Sequence, residues 1–122
     1  MGREGERLAA RFLRKNGYRL LYRNYRPRRG GEVDLVCRDK AAGELVFVEV
    51  KTRRRTDFGD PADAVNLEKQ KLIIRGAMTW MRLLDNPAVV FRFDIIEVIF
   101  EGGVPRINHI KDAFQLPEAF RL

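Results

Sequence analysis

Asp34, Glu49 and Lys51 are the residues in this sequence whose types and spacing could do chemistry. Asp34 sits among the valines and leucine of "GEVDLV", and Glu49 and Lys51 close the otherwise apolar run "LVFVEVK". Carboxylates buried in a sheet are costly unless something compensates them. The two segments read as a hairpin with its turn centred near Ala41 and Ala42, which sets Asp34 opposite Glu49, give or take a residue. Opposed residues share a face with Cβ atoms ~5 Å apart, so the two carboxylates repel unless a cation lies between them. Mg2+ or Mn2+ suits such a pair, because hard divalent cations take oxygen ligands and keep positions open for water and phosphate. Lys51, two residues after Glu49, points to the same face. There an ammonium can orient an attacking water and offset charge growing on a phosphate. Metal-dependent phosphodiester hydrolysis requires this combination. The competing reading is an ordinary sheet edge on which Asp34, Glu49 and Lys51 make cross-strand ion pairs.

The elements that must position these residues follow from periodicity. Leu8, Ala9, Phe12 and Leu13 form a helical stripe between Arg3 and Asn16, and Gly17 stands where a left-handed cap would end it. Glu6 projects from the inner flank of that helix. Tyr18 to Arg26 reads as a strand closed by the turn residues "PRRGG", and Glu32–Cys37 and Leu45–Lys51 are the two strands of the hairpin. Thr56 to Asn66 is loop-like, and Asn66 caps a second helix running to about Leu84. Lys69 sits near the start of that helix and can reach inward. Asn86 and Pro87 break the helix, Val89 to Phe100 is β-rich, and a short strand is expected around Arg106 to Ile110. "KDAFQLPEAF" reads as a short helix or an ordered arm. The order α β β β α β β describes one α/β sheet domain.

Composition and charge narrow the class of partner. The chain has 122 residues, enough for one sizeable core, and is 45% hydrophobic and 34% charged, which excludes a disordered chain. A net charge of +7, a pI of about 10.1 and eighteen arginines to six lysines imply an anionic partner, nucleic acid before an anionic membrane. "RPRRGG" and "KTRRR" bracket the acidic hairpin, which makes Arg28, Arg29, Arg53, Arg54, Arg55 and Lys69 the candidate nucleic-acid contacts. No run approaches the ~18 apolar residues of a membrane span, and the start of the chain lacks the apolar core of a secretory signal. A cytoplasmic location is the expectation. Cys37 is the only cysteine, so no intramolecular disulfide or thiolate zinc cluster can form.

The motifs in order, "GREGERLAARFL", "GEVDLV", "VFVEVKTR" and "RFDIIEV", resemble the YraN-like family of uncharacterised proteins within the PD-(D/E)XK nuclease superfamily. The likeness spans roughly Gly2 to Leu116, and by fold it extends to archaeal Holliday junction resolvases. It implies a restriction-endonuclease-like fold, α/β with a mixed central sheet flanked by helices, in a single domain over residues 1–122. It implies Asp34 and Glu49 as metal ligands, Lys51 as the catalytic lysine and Glu6 as an outer acidic residue. Mg2+ or Mn2+ is the implied cofactor, DNA of branched structure the implied substrate, and a symmetric homodimer the form in which the resolvase-like relatives act. Val33 precedes Asp34 where the superfamily often has proline. A non-catalytic nucleic-acid-binding module and an RNA-associated factor remain the alternatives, since phosphate contacts barely distinguish duplex types.

Other residues have plainer roles. Asp94 is read as structural support, a buried partner of Arg92 or another arginine. His109 is structural, because no second His or Cys stands at ligand spacing. Trp80 and the phenylalanines belong to the core. Tyr18, Tyr22 and Tyr25 either pack on the first helix or stack on bases.

Overall fold

A computed structural model describes residues 2–54, 65–85 and 88–118. The chain runs α1 (Gly2–Lys15), β1 (Tyr18–Tyr25), β2 (Val33–Asp39), β3 (Glu44–Arg54), α2 (Leu67–Arg82), β4 (Phe91–Glu101) and β5 (Val104–Phe114). The five strands form one mixed sheet in the order β1-β2-β3-β4-β5. Strands β3 and β4 are parallel and every other pair is antiparallel, so α2 serves as the crossover that a parallel pair needs. This is the α/β arrangement expected from the sequence, a mixed sheet flanked by helices. The expected loop over residues 56–64, the break at Asn86 and Pro87, and Arg55 lie outside the described residues.

Strand alternation divides the core between two faces. On one face Ala9, Ala10 and Leu13 of α1 cover Leu35, Cys37, Val46, Val48, Ile96 and Val98. On the other, Ile73, Ile74 and Ala77 of α2 cover Val36, Phe47, Phe93 and Ile95. Both helices end or begin as their caps dictate. Gly17 follows α1 at φ +87, and the Asn66 side chain accepts from the Lys69 amide at 2.9 Å to cap α2.

Three local expectations are corrected. First, Tyr22 and Tyr25 pack on α2, not on α1, with rings 6.0 and 5.2 Å from Trp80. A bulge between Leu20 and Tyr22 turns Tyr22 to the α2 face, since Leu20 pairs with Cys37 but Tyr22 with Val36, and Asn24, at φ 54, breaks the alternation again so that Tyr25 shares it. Only Tyr18 stays in the α1 cluster. Second, β3 continues to Arg54, which makes Arg53 and Arg54 strand residues. Third, Lys111 to Phe114 extend β5 and form neither helix nor arm. Asp112 turns at φ 53, its amide donates to Asp94 Oδ1 at 3.0 Å, and Phe114 then stacks on Phe93 at 4.9 Å.

Asp94 has the structural role expected of it. Arg92 Nε and Nη2 bond its two oxygens at 2.9 and 3.1 Å, and His109 Nε2 lies 2.7 Å from Oδ2. Arg92 also reaches Asp39, Glu44 and Tyr18, so one guanidinium ties β1, β2, β3 and β4 together. Burial, the largest influence, pushes the Asp94 carboxyl up, but the bonds from His109, Arg92 and the Asp112 amide outweigh it and hold the group below its ordinary value. Cys37 is fully buried, which pushes its thiol up to about 12. It is an inert core residue.

Candidate functional site

The site forms where the β2-β3 hairpin stops being a ladder. Its regular pairs run from Asp39↔Glu44 to Leu35↔Val48, and the next rung would join Asp34 to Glu49. Instead the Val50 amide donates to Asp34 Oδ2 at 2.8 Å. Asp34 and Glu49 are both buried, Glu49 at 2% exposure, and both belong to the α2 face with Val36 and Phe47. The Glu49 carboxyl is pushed up to about 8, by burial first and then by the hydrogen bond and charge of Asp34, while Lys69 and Lys51 pull the other way. One of its oxygens, Oε2, has no hydrogen-bond partner among the described residues.

Lys69 reaches inward from the first turn of α2 and stands between two carboxylates. Its Nζ lies 3.4 Å from Glu49 Oε2, an ion-pair distance without hydrogen-bond alignment, and it bonds Glu32 Oε1 directly. Burial lowers the Lys69 ammonium most, yet the bond to Glu32 and the charges of Glu49 and Glu32 raise it overall. Glu32 is correspondingly lowered, chiefly by its bond to Lys69, and its Oε2 also takes a bond from Arg26 at 2.5 Å. Lys69 was a candidate nucleic-acid contact; here its charge is engaged by protein carboxylates.

Lys51 shares the α2 face by strand alternation and is half-buried. It makes no hydrogen bond or ion pair among the described residues, although it lowers the Glu49 carboxyl through its charge. Glu6 lies on α1. Its helix covers the opposite face of the sheet, it is half-buried, and it makes no bond to Asp34 or Glu49 among the described residues. Its neighbour Gly5 nonetheless presses on Thr52, where an added Cβ would lie 2.2 Å from Oγ1, so α1 crosses β3 one residue beyond Lys51. Among the described residues no three or more His, Cys, Asp or Glu side chains gather as a metal-holding cluster.

The remaining arginines spread outwards from the site. Arg28 and Arg29 are exposed in the turn before β2, Arg54 is exposed at the end of β3, and Arg53 is half-buried. Arg53 Nε lies 2.7 Å from Oε2 of Glu97, a residue 1% exposed. Glu97 is the register partner of Lys51 on β4 and shares its face. Neither Glu97 nor Glu32 stood out in the sequence. The signal was present for both: Glu32 precedes Asp34 by two and must share its face, and Glu97 interrupts an apolar strand as Asp94 does.

The architecture defines the class first: an α/β domain of restriction-endonuclease-like layout that carries a buried carboxylate pair and a lysine on one sheet face. The chain belongs to uncharacterised protein family UPF0102, whose family model matches residues 5–98. It is 43% identical over 116 residues to a UPF0102 protein of Geobacter metallireducens, covering 95% of this chain and 93% of that one. A UPF0102 protein of Pelobacter propionicus is 46% identical over 119 residues, 94% of this chain and 82% of its own. A third, from Nocardia farcinica, is 46% identical over 115 residues, 93% and 88% of the two chains. Among the described residues no helix is long and apolar enough to cross a membrane.

Proposed function

We propose that this protein is a metal-dependent nuclease that hydrolyses phosphodiester bonds in DNA of branched or otherwise distorted structure. The observation that carries the reading is the pairing of Asp34 with Glu49 in a buried position, with Glu49 Oε2 lacking a hydrogen-bond partner among the described residues. An unsatisfied buried oxygen costs ~1–3 kcal/mol. Two adjacent buried carboxylates favour a shared proton or a cation, a place that the Lys69 ammonium takes at 3.4 Å from Glu49 Oε2, and the donor set, hard oxygens only, fits Mg2+ or Mn2+. Asp34 and Glu49 would hold the ion, which would supply Lewis-acid polarisation of a phosphate and a more acidic water.

The residues of the chain do the rest. The Val50 amide fixes the Asp34 carboxylate in one orientation, so the pair is preorganised. Lys51 brings an ammonium to the same face, where it orients a water for in-line attack and offsets negative charge in the transition state. Lys69 neutralises Glu49 in the metal-free protein, and Glu32 provides the carboxylate to which its ammonium returns when a cation takes its place. The exposed Arg28, Arg29 and Arg54 suit the phosphate backbone on either side.

A second reading, a non-catalytic nucleic-acid-binding module, is favoured by the same ion pair, because Lys69 already offsets the charge a metal would otherwise neutralise. The experiment that decides is a cleavage panel of single-stranded, duplex, flap and four-way-junction DNA with Mg2+, Mn2+ or EDTA. Metal-dependent cleavage that Lys51→Ala abolishes supports the nuclease. Tight binding with no cleavage of any substrate moves the assignment to the binding module.

A further inference from the structure

A second charged surface lies on the outer side of α2, away from the carboxylate pair. Arg29, Lys71, Arg75 and Arg82 line a groove of about 670 Å3 with Met78, Thr79 and Pro117, and among the described residues no carboxylate lines it. Lys71, Arg75 and Arg82 stand four and seven residues apart, which puts them on one side of a helix. Ile73, Ile74 and Ala77 anchor the other side in the core. The stripe is therefore held rigidly, and at 1.5 Å per residue it is ~16 Å long. Glu68 lies 3.7 Å from Lys71, but both side chains are exposed and such a pair contributes little.

Arg29 joins the stripe because the turn before β2 is pressed onto the helix. Gly30 lies against the Arg75 side chain, an added Cβ on Gly31 would stand 2.3 Å from the Gly76 nitrogen, and the Glu32 amide donates to Leu72 O at 3.1 Å. The same turn supplies Glu32, which bonds Lys69, which in turn meets Glu49. Groove and carboxylate pair thus share one turn and one helix, and Lys71 follows Lys69 by two residues.

We propose that this groove holds the backbone of a duplex DNA arm flanking the bond placed at Asp34, Glu49 and Lys51. The inference rests on the phosphodiesterase reading above and extends it to the substrate's flank. Four cations along ~16 Å match about five phosphates of one strand, spaced 3.4 Å along the duplex axis. Among the described residues no aromatic ring lines the groove, so they offer none of the stacking platform on which single strands depend. A straight, rigid row of cations suits the duplex.

The test measures fluorescence anisotropy of a labelled 30-base-pair DNA duplex, chosen at roughly twice the span that the groove and site could cover, across a range of salt. The full chain is compared with Arg75→Gln/Arg82→Gln and with Arg11→Gln/Arg14→Gln, which removes the same charge from the exposed side of α1. The groove variant should lose on the order of tenfold in affinity and ~2 from the slope of log K against log salt, while the α1 variant retains both. Equal losses in the two variants, or none in either, would overturn the groove, as would tighter groove-dependent binding of an RNA duplex. Wild-type protein that binds no duplex overturns the groove and leaves the nuclease to the cleavage panel. Groove-dependent binding without cleavage of any DNA in the panel keeps the groove and removes the nuclease, so the two failures are distinct.

Discussion

The Val50 amide donates to Asp34 Oδ2 at 2.8 Å, so a backbone group of β3 grips the carboxylate that stands beside Glu49. This bond needs an acceptor oxygen but no negative charge. Asp34→Asn should therefore preserve the bond through its amide oxygen, keep the fold and relieve the repulsion on Glu49. Metal-free thermal stability should hold or rise, metal-free DNA binding should hold or tighten, and Mn2+ affinity and cleavage should be lost. Mn2+ titration beside a thermal melt checks this, and unchanged Mn2+ binding would take Asp34 out of the metal site.

Lys69 answers two acids at once, so its removal should be felt by both. Lys69→Met leaves Glu49 buried beside Asp34 with only Lys51 near it, and should destabilise the metal-free protein by about 1–3 kcal/mol at pH 8. Glu49→Gln/Lys69→Met removes the stranded charge and should recover most of that loss. Urea unfolding of the wild type, both single variants and the double variant gives the coupling energy. A coupling near zero would mean that Lys69 serves only Glu32.

Strand alternation made the shared face of the charged residues on β2 and β3 legible from the sequence. Asp34, Glu49 and Lys51 are separated by even steps or by a hairpin turn, and period two carries a side chain to a known face. What alternation cannot supply is the face a helix covers. The inner flank of α1 was readable, but its position opposite the α2 face was not, and so the position of Glu6 relative to the carboxylates stayed open. The bulge after Leu20 has no glycine or proline to announce it, and its effect on Tyr22 appears only once the register is known. The length of β5 was hidden for a similar reason. Asp112 adopts a positive φ that Asp94, eighteen residues earlier, helps to hold, and no local pattern contains both.

Two opposing pH dependences should act on stability. Asp94 and Asp39 are held below the ordinary carboxylate value, so the unfolded chain takes up their protons first as pH falls. Their contribution is present above ~4 and is lost as pH drops through the lower folded values. Glu49 has the opposite sign. Its folded value is raised to about 8, so its contribution is complete below ~4.3 and is lost as pH rises towards 8. Metal-free protein should be most stable at mildly acidic pH, with a steep fall on the acid side and a shallow one on the alkaline side. Chemical unfolding across pH 3 to 9 measures the curve. Glu49→Gln should flatten the alkaline arm alone; if it leaves that arm unchanged, Glu49 is not the group responsible.

The close approach of Gly31 to Gly76 makes the last prediction, because it joins turn geometry to the site. Gly31 has φ +94, and an added Cβ would lie 2.3 Å from the Gly76 nitrogen and 2.8 Å from its Cα. Backbone cannot yield as a flexible side chain can, so Gly31→Ala incurs left-handed strain together with a steric clash that pushes the turn off α2. Gly17 provides the control, with φ +87 and nothing within 4 Å of the added Cβ. Gly17→Ala should cost ~1 kcal/mol from conformation alone, and Gly31→Ala ~3 kcal/mol or more. Because the displaced turn carries Arg29 and Glu32, the Gly31 variant should also lose the bond from Lys69 to Glu32, seen as a fall in the Lys69 ammonium pKa by side-chain NMR. Equal destabilisation by the two alanines would mean that the turn can move away from α2 without cost.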